Sequence, residues 1–112
     1  MVTSDLLNLA LEYFKRRGYK IERNIRKEGF SGLSRSFDLL VKKGNDWHPV
    51  WIKDWKRTVG INVVINVDRA AEDAGYTNPI LIAEKFSDHA KAYANRRGIK
   101  LITKSEIRIS LR

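Results

Sequence analysis

The spacing of apolar residues changes along the chain, and each change predicts an element. Leu6, Leu7, Leu9, Ala10, Tyr13 and Phe14 recur at helical spacing, and Gly18 stops the run. Thr3 or Ser4 is placed to cap this helix, with Asp5 favourable at the positive end of its dipole. "YKIERNI" then sets Tyr19, Ile21 and Arg23 against Lys20, Glu22 and Asn24, which predicts a short first strand. "RKEGFSGLSRS" reads as a loop or hairpin. "FDLLVKK" is a second strand with Asp38 embedded near its start, "GNDW" is a hairpin turn, and "HPVWIKDW" returns as a third strand. On that third strand Trp51, Lys53 and Trp55 share one face.

In "TVGINVVINVDRAAEDAG" two periods compete. Ile61, Val63, Ile65 and Val67 alternate as in a strand, whereas Val63, Val67, Ala70, Ala71 and Ala74 repeat as on a helix that Gly75 ends. Residues alone divide this segment into strand, then helix. "PILIAE" is a short apolar strand of the kind buried on both faces. Ser87 caps "DHAKAYANRR", whose Ala90, Tyr93 and Ala94 face inward and which Gly98 ends; "IKLIT" is the last strand. "KSEIRI" closes as a short helical turn or an extended tail. A strand–helix–strand unit calls for a parallel, right-handed crossover. The fold class is therefore α/β with a mixed sheet.

A chain of 112 residues suits a single domain spanning 1–112. Lys and Arg number 22 against 13 Asp and Glu, a net charge of +9. That excess favours a polyanionic partner, nucleic acid before an acidic membrane surface, over the bland alternative of a solvated basic face. There is no cysteine, which excludes disulfides and thiolate metal sites. The basic cluster at the N-terminus follows its apolar run instead of preceding it, unlike a signal peptide, and no apolar run reaches the ~20 residues of a membrane span. The expectation is a cytoplasmic protein.

Asp38 in an apolar strand is costly unless it meets a cation or a donor. Lys53 lies on the neighbouring antiparallel strand, so both side chains can enter one cleft. With a second carboxylate two residues before the lysine, such a cleft would hold Mg²⁺, polarise a phosphodiester and activate water. "LEYFKRRGYKIE", "FDLLVKKG", "VWIKDWKRTVGINVV" and "PILIAEKFSDHAKAYANRRGIKLITKSEI", in this order and spacing, resemble the PD-(D/E)XK nuclease superfamily, specifically its Mrr-type restriction endonucleases and archaeal nuclease-like proteins. The likeness runs over roughly residues 4 to 109. It implies a restriction-endonuclease-like fold of order α-β-β-β-α-β-α-β, and it assigns residues 59 to 74 mainly to helix.

Transferred residue by residue, the resemblance makes Asp38 the metal-binding aspartate and Lys53 the catalytic lysine. The acidic position two before the lysine is Trp51. An additional glutamate of the first helix falls at Leu7 and Asn8, and Glu12, a turn later, faces solvent. An indole offers only an N–H donor, so Trp51 cannot ligate Mg²⁺ and Asp38 alone would hold it weakly. Asp38 and Lys53 could instead pair with each other. Asp54 and Lys56 form an alternative Asp-x-Lys pair, but using them would turn the strand's faces over. The expectation is a degenerate, inactive metal site, with no cofactor unless activity survives on Mg²⁺.

Arg16, Arg17, Lys20, Arg26, Lys27, Arg35, Lys56 and Arg57 are the candidate phosphate contacts, and the "GFSGLS" loop could bring backbone amides to a phosphate. Trp47 and Trp55 suit packing; His48 and His89 stand alone; Arg96 and Arg97 suit the end of their own helix. Together these point to a DNA-binding nuclease-fold protein, with RNA as the other polyanion and a homodimer as the way two strands could be addressed. An active Mg²⁺-dependent endonuclease using a displaced carboxylate, and a structural or partner-binding module, are the alternatives.

Overall fold

The structure, a computed structural model, describes residues 5–112. Its elements are α1 (Asp5–Arg16), β1 (Lys20–Glu28), β2 (Ser34–Lys43), β3 (Asp46–Lys53), α2 (Ile61–Asp73), β4 (Ile80–Ala83), α3 (Asp88–Arg97), β5 (Lys100–Thr103) and α4 (Lys104–Ser110). The strands form one sheet in the order β1-β2-β3-β4-β5. β1, β2 and β3 are antiparallel neighbours, and β3, β4 and β5 run parallel. This is the expected α/β order, with a helix added at its end.

Each face of the sheet is covered. Leu6, Ala10 and Phe14 of α1 and Ile107 of α4 pack against Leu39, Val50, Ile82 and Ile102. Val64, Val67 and Ala71 of α2 and Ala90 and Ala94 of α3 cover Leu40, Trp51, Leu81 and Ala83 on the other side. β4 is buried at all its positions because both layers meet on it.

Helix wins over strand in the ambiguous segment, as the resemblance implied. α2 buries Val64, Val67 and Ala71, and strand alternation would have turned Val64 outward. The need to cover the sheet outweighs the β-propensity of Ile61 to Val67. α3 is capped as expected: the Ser87 side chain accepts from the Ala90 N–H, and Gly98 closes the end with φ +72°. The "KSEIRI" segment resolves as helix, because Thr103 and Glu106 form a reciprocal capping box. The Thr3 and Ser4 cap lies outside the described residues. Asp54, from just beyond β3, accepts from the Leu6 N–H at 3.3 Å in the first turn of α1.

The first strand is longer than its alternation suggested, pairing with β2 from Lys20↔Lys42 out to Glu28↔Ser34 and leaving only 29–33 as the turn. Midway the ribbon turns its faces over. Ile21 packs under α1, yet Ile25, of the same parity, packs under α2; Leu39 and Phe37 differ in the same way. Asn24, at φ +53°, is the point of reversal, a conformation that asparagine tolerates better than most residues. The outer half of the ribbon thereby lies over α2, with the Phe37 ring 5.2 Å from Trp51 and 5.8 Å from Tyr76.

Candidate functional site

The reversal at Asn24 opens a cleft. β2 pairs with β3 only as far as Leu39↔Val50, whereas β3 continues beside β4 to Lys53↔Ala83. The Ile52 N–H would be left without a strand partner where β2 departs. Asp38 replaces that partner: its Oδ2 accepts from Ile52 N at 2.7 Å. A backbone donor buried without a partner is costly, so the carboxylate is held here by local geometry as well as by any ligand.

Asp38, Trp51 and Lys53 line one cleft of about 340 Å³, joined by Arg26, Asn24 and Ser36. The structure therefore brings the three expected positions together. It does not pair Asp38 with Lys53: the ammonium lies 5.5 Å from the centre of the Trp55 ring, and the carboxylate is turned to β3's backbone. Trp51 is 6% exposed and belongs to the core. Its indole forms the cleft floor. On the far side of Trp51 and Lys53 a second hollow of about 300 Å³ is bounded by Arg35, Trp55 and Asn66.

Mg²⁺ takes oxygen ligands in near-ideal octahedral geometry; the cleft offers it one carboxylate, whose Oδ2 already accepts a hydrogen bond, with the side-chain oxygens of Asn24 and Ser36, beside an indole that has no lone pair to give. Among the described residues, no group of three or more His, Asp or Glu could hold a metal ion. Leu7 packs against the α1 cluster, and Glu12 pairs with Arg16 at 2.8 Å on the surface. The alternative pair is not assembled either. Asp54 serves the start of α1, and neither it nor the exposed Lys56 lines the cleft.

The basic residues divide into separate groups. Arg26 and Lys53 line the cleft; Arg35 and Lys53 line the second hollow; Arg57 lies 4.2 Å over the Trp55 ring. Arg16, Arg17 and Lys20 are elsewhere, at the end of α1 and the start of β1; Arg16 bonds the Leu111 carbonyl, and Arg17 bonds Ser110 Oγ. Lys27 covers the Tyr76 ring at 4.5 Å. Arg97 reaches across to Asp68 and Glu72 of α2 instead of serving its own helix end. The Tyr93 hydroxyl also donates to Asp68, which raises its pKa, with burial adding to the rise. Trp55 is half-buried against the core as expected, but Trp47 is 36% exposed at the hairpin, with Lys42 over its ring. His48 is structural: its Nδ1 lies 3.0 Å from the Asn78 carbonyl, which can only accept, so Nδ1 carries the proton.

The "GFSGLS" loop has spent its amides. The Ser31 N–H and hydroxyl donate to the Asp73 carboxylate at 2.8 and 2.7 Å, and the Phe30 N–H donates to the Asp73 carbonyl. Arg35 Nε completes the set at 2.8 Å. Gly29 faces the same carboxylate, which leaves no room for a Cβ. An internal acid thus occupies the place proposed for a phosphate. Asp73 and Asn24 were not legible as site residues; an asparagine within a strand, where the face of Ile21 and Ile25 must change, was the available signal.

The family model described as restriction endonuclease, the Mrr catalytic domain, matches residues 1–111. No curated protein sequence matches the chain. Among solved structures, a protein of unknown function, AF1548, superposes with a TM-score of 0.82 at 17% identity, over 92% of this chain and 63% of its own. A repair endonuclease from Pyrococcus abyssi gives 0.68 at 17% identity, over 92% of this chain and 47% of its own. EndoMS in a dsDNA complex gives 0.59 at 14% identity, over 90% of this chain and 44% of its own. The chain thus spans less than two thirds of the length of each of these structures.

Proposed function

From a chain that belongs to the Mrr-type restriction endonuclease family, we propose a DNA-binding domain that has kept the nuclease cleft and lost robust cleavage. The observation that carries this reading is the buried Trp51 indole at the position of the second acidic ligand, beside an Asp38 engaged by the Ile52 N–H. Binding is assigned to the cleft cations. Among the described residues Arg26 has no carboxylate partner and Lys53 meets only an aromatic ring, so both are available to phosphate. The net charge of +9 supplies attraction to any polyanion, and the dsDNA complex named for EndoMS favours duplex DNA as the partner. In this reading Asp38 ties β2 to β3 at the cleft mouth, Lys53 and Arg26 hold the backbone, and Trp51 closes the floor.

The domain acts alone or as part of a longer assembly, and no helix among the described residues is long and apolar enough to cross a membrane. The test is a cleavage assay of the purified chain with Mg²⁺ and with Mn²⁺, beside a binding titration on duplex DNA. The expected result is salt-dependent binding without turnover. Trp51→Glu restores the oxygen ligand, and the variant is expected to gain divalent-ion binding and weak nicking where the wild type has none. Metal-dependent cutting by the wild type, abolished in Asp38→Asn, would refute the loss of catalysis.

A further inference from the structure

At the opposite end of the sheet from the Asp38 cleft is a hollow of about 170 Å³. The cleft gathers at the last residues of β3, whereas this hollow opens beside His48 near the start of β3, Ile80 at the start of β4 and Lys100 at the start of β5. Its charged lining is Arg17, Lys43 and Lys100, and it contains no carboxylate. None of the three forms an ion pair among the described residues. Arg17 lies over the Tyr13 ring at 4.4 Å and donates to Ser110 Oγ, Lys43 lies 5.4 Å from the Tyr19 ring, and Lys100 has no side-chain partner among the described residues. Arg16, Arg35, Arg97, Lys104 and Arg108 each reach an acid, whereas here three cations meet around one hollow without one.

Helix dipoles do not account for the excess. Arg17 and Lys100 follow the ends of α1 and α3, and each end carries about half a negative charge. Together they offset about one of the three positive charges. The remaining lining suits an anion with several oxygens. Tyr13 and Tyr19 also line the hollow, and each carries a phenolic hydroxyl that can donate. Because Nδ1 of His48 donates to Asn78, its Nε2 is left directed elsewhere. A hollow of about 170 Å³ has room for a phosphate group.

We propose that this hollow binds a dianionic phosphate group, held by Lys43, Lys100 and Arg17 with hydroxyl donors from Tyr13 and Tyr19. It is independent of the reading of the Asp38 cleft. The phosphate comes either from solution or from the 5′ end of a nucleic-acid strand, and these share the same chemistry. The experiment uses the full chain with inorganic phosphate as the probe, followed by ³¹P NMR and calorimetry, and with oligonucleotides carrying a 5′ phosphate or a 5′ hydroxyl. Saturable phosphate binding is expected, unaffected by chloride at equal ionic strength. It should weaken roughly tenfold or more in the Lys43→Ala/Lys100→Ala double variant, whose side chains are exposed and whose folding circular dichroism can verify. A Lys85→Ala/Lys91→Ala double variant, with the same charge loss at exposed sites away from the hollow, should bind as the wild type does. Tyr19→Phe should weaken binding without altering the fold. Tighter binding of the 5′-phosphorylated oligonucleotide, lost in the Lys43/Lys100 variant, would assign the group to a strand end; equal binding of both oligonucleotides, with free phosphate still bound, would assign it to solution. No saturable phosphate binding, or equal loss in the two double variants, overturns the proposal.

Discussion

Two aspartates on the β1–β2 ribbon's path meet opposite fates. At the ribbon's root, Asp38 accepts one backbone N–H, and Arg26 and Lys53 beside it stay without a carboxylate. At its tip, Asp73 is saturated by the Ser31 N–H, the Ser31 hydroxyl and Arg35. The tip is a clasp, because the Ser31 N–H, the Ser31 hydroxyl and Arg35 are all spent on one internal acid. The root keeps cationic donors unspent, which is what a surface awaiting an external anion requires. Charge alone did not distinguish the two; the Arg35 guanidinium and the Arg26 guanidinium look alike until their partners are known.

The largest expected effect sharpens the root's side of that contrast. Trp51 is a core residue as well as the cleft floor, so Trp51→Ala should cost about 3 kcal/mol of stability, read from urea unfolding. Trp51→Phe should recover most of it while enlarging the cleft. If Trp51→Ala leaves stability unchanged, the ring is not seated against Phe37 as the fold requires.

Next in size is the role of Asp38 as a backbone partner. Asp38→Ala leaves the Ile52 N–H without its acceptor and should destabilise by about 1–2 kcal/mol. Asp38→Asn retains an oxygen acceptor and should cost less. Were the two equal, the negative charge and not the hydrogen bond would be the stabilising element.

How far this arrangement could be read from the sequence follows from the same details. Local signals found the capped α3, the buried β4 and the 44–45 turn, because each depends on residues adjacent in the chain. That Asp38 and Lys53 lie on neighbouring antiparallel strands and reach one cleft was also legible, since a short turn joins those strands. The reversal at Asn24 was not, because strand alternation is a rule for an unbroken ladder and Ile21 and Ile25 obey it on paper. The pairing of loop with helix was hidden for a different reason: Ser31 and Asp73 are 42 positions apart, and no local pattern links them. Which of the candidate cations are already engaged by acids, rings or carbonyls was hidden too, because those partners are distant in the chain.

A third prediction concerns the unspent donors. Arg26→Ala should weaken duplex DNA binding by about 1 kcal/mol and reduce the slope of log affinity against log salt by about 1. Arg16→Ala, whose guanidinium is engaged by Glu12 and the Leu111 carbonyl, should alter neither. Equal losses in both would mean that DNA is attracted by net charge and not held at the cleft.

The smallest effect belongs to the tip and is confined to acid. Arg35 beside Asp73, with hydrogen bonds from the Ser31 hydroxyl and N–H, holds its carboxyl at about 2, below the ordinary 3.8. The folded state therefore binds this proton less readily than the unfolded chain does. The clasp's contribution is fully present above about pH 4 and is lost as the pH falls through about 2. Between those limits the melting temperature of the wild type should fall more steeply than that of Asp73→Asn, which has no proton to gain there. Corrected for the intrinsic pH dependence, amide exchange at Ser31 should accelerate over the same interval, because its N–H loses a charged acceptor, whereas exchange at Tyr19, whose N–H donates to the Phe14 carbonyl just before β1, has no titrating acceptor and should not follow it. Parallel acceleration at both amides would mean that the ribbon opens as one unit, and the distinction between a saturated tip and a receptive root would fail.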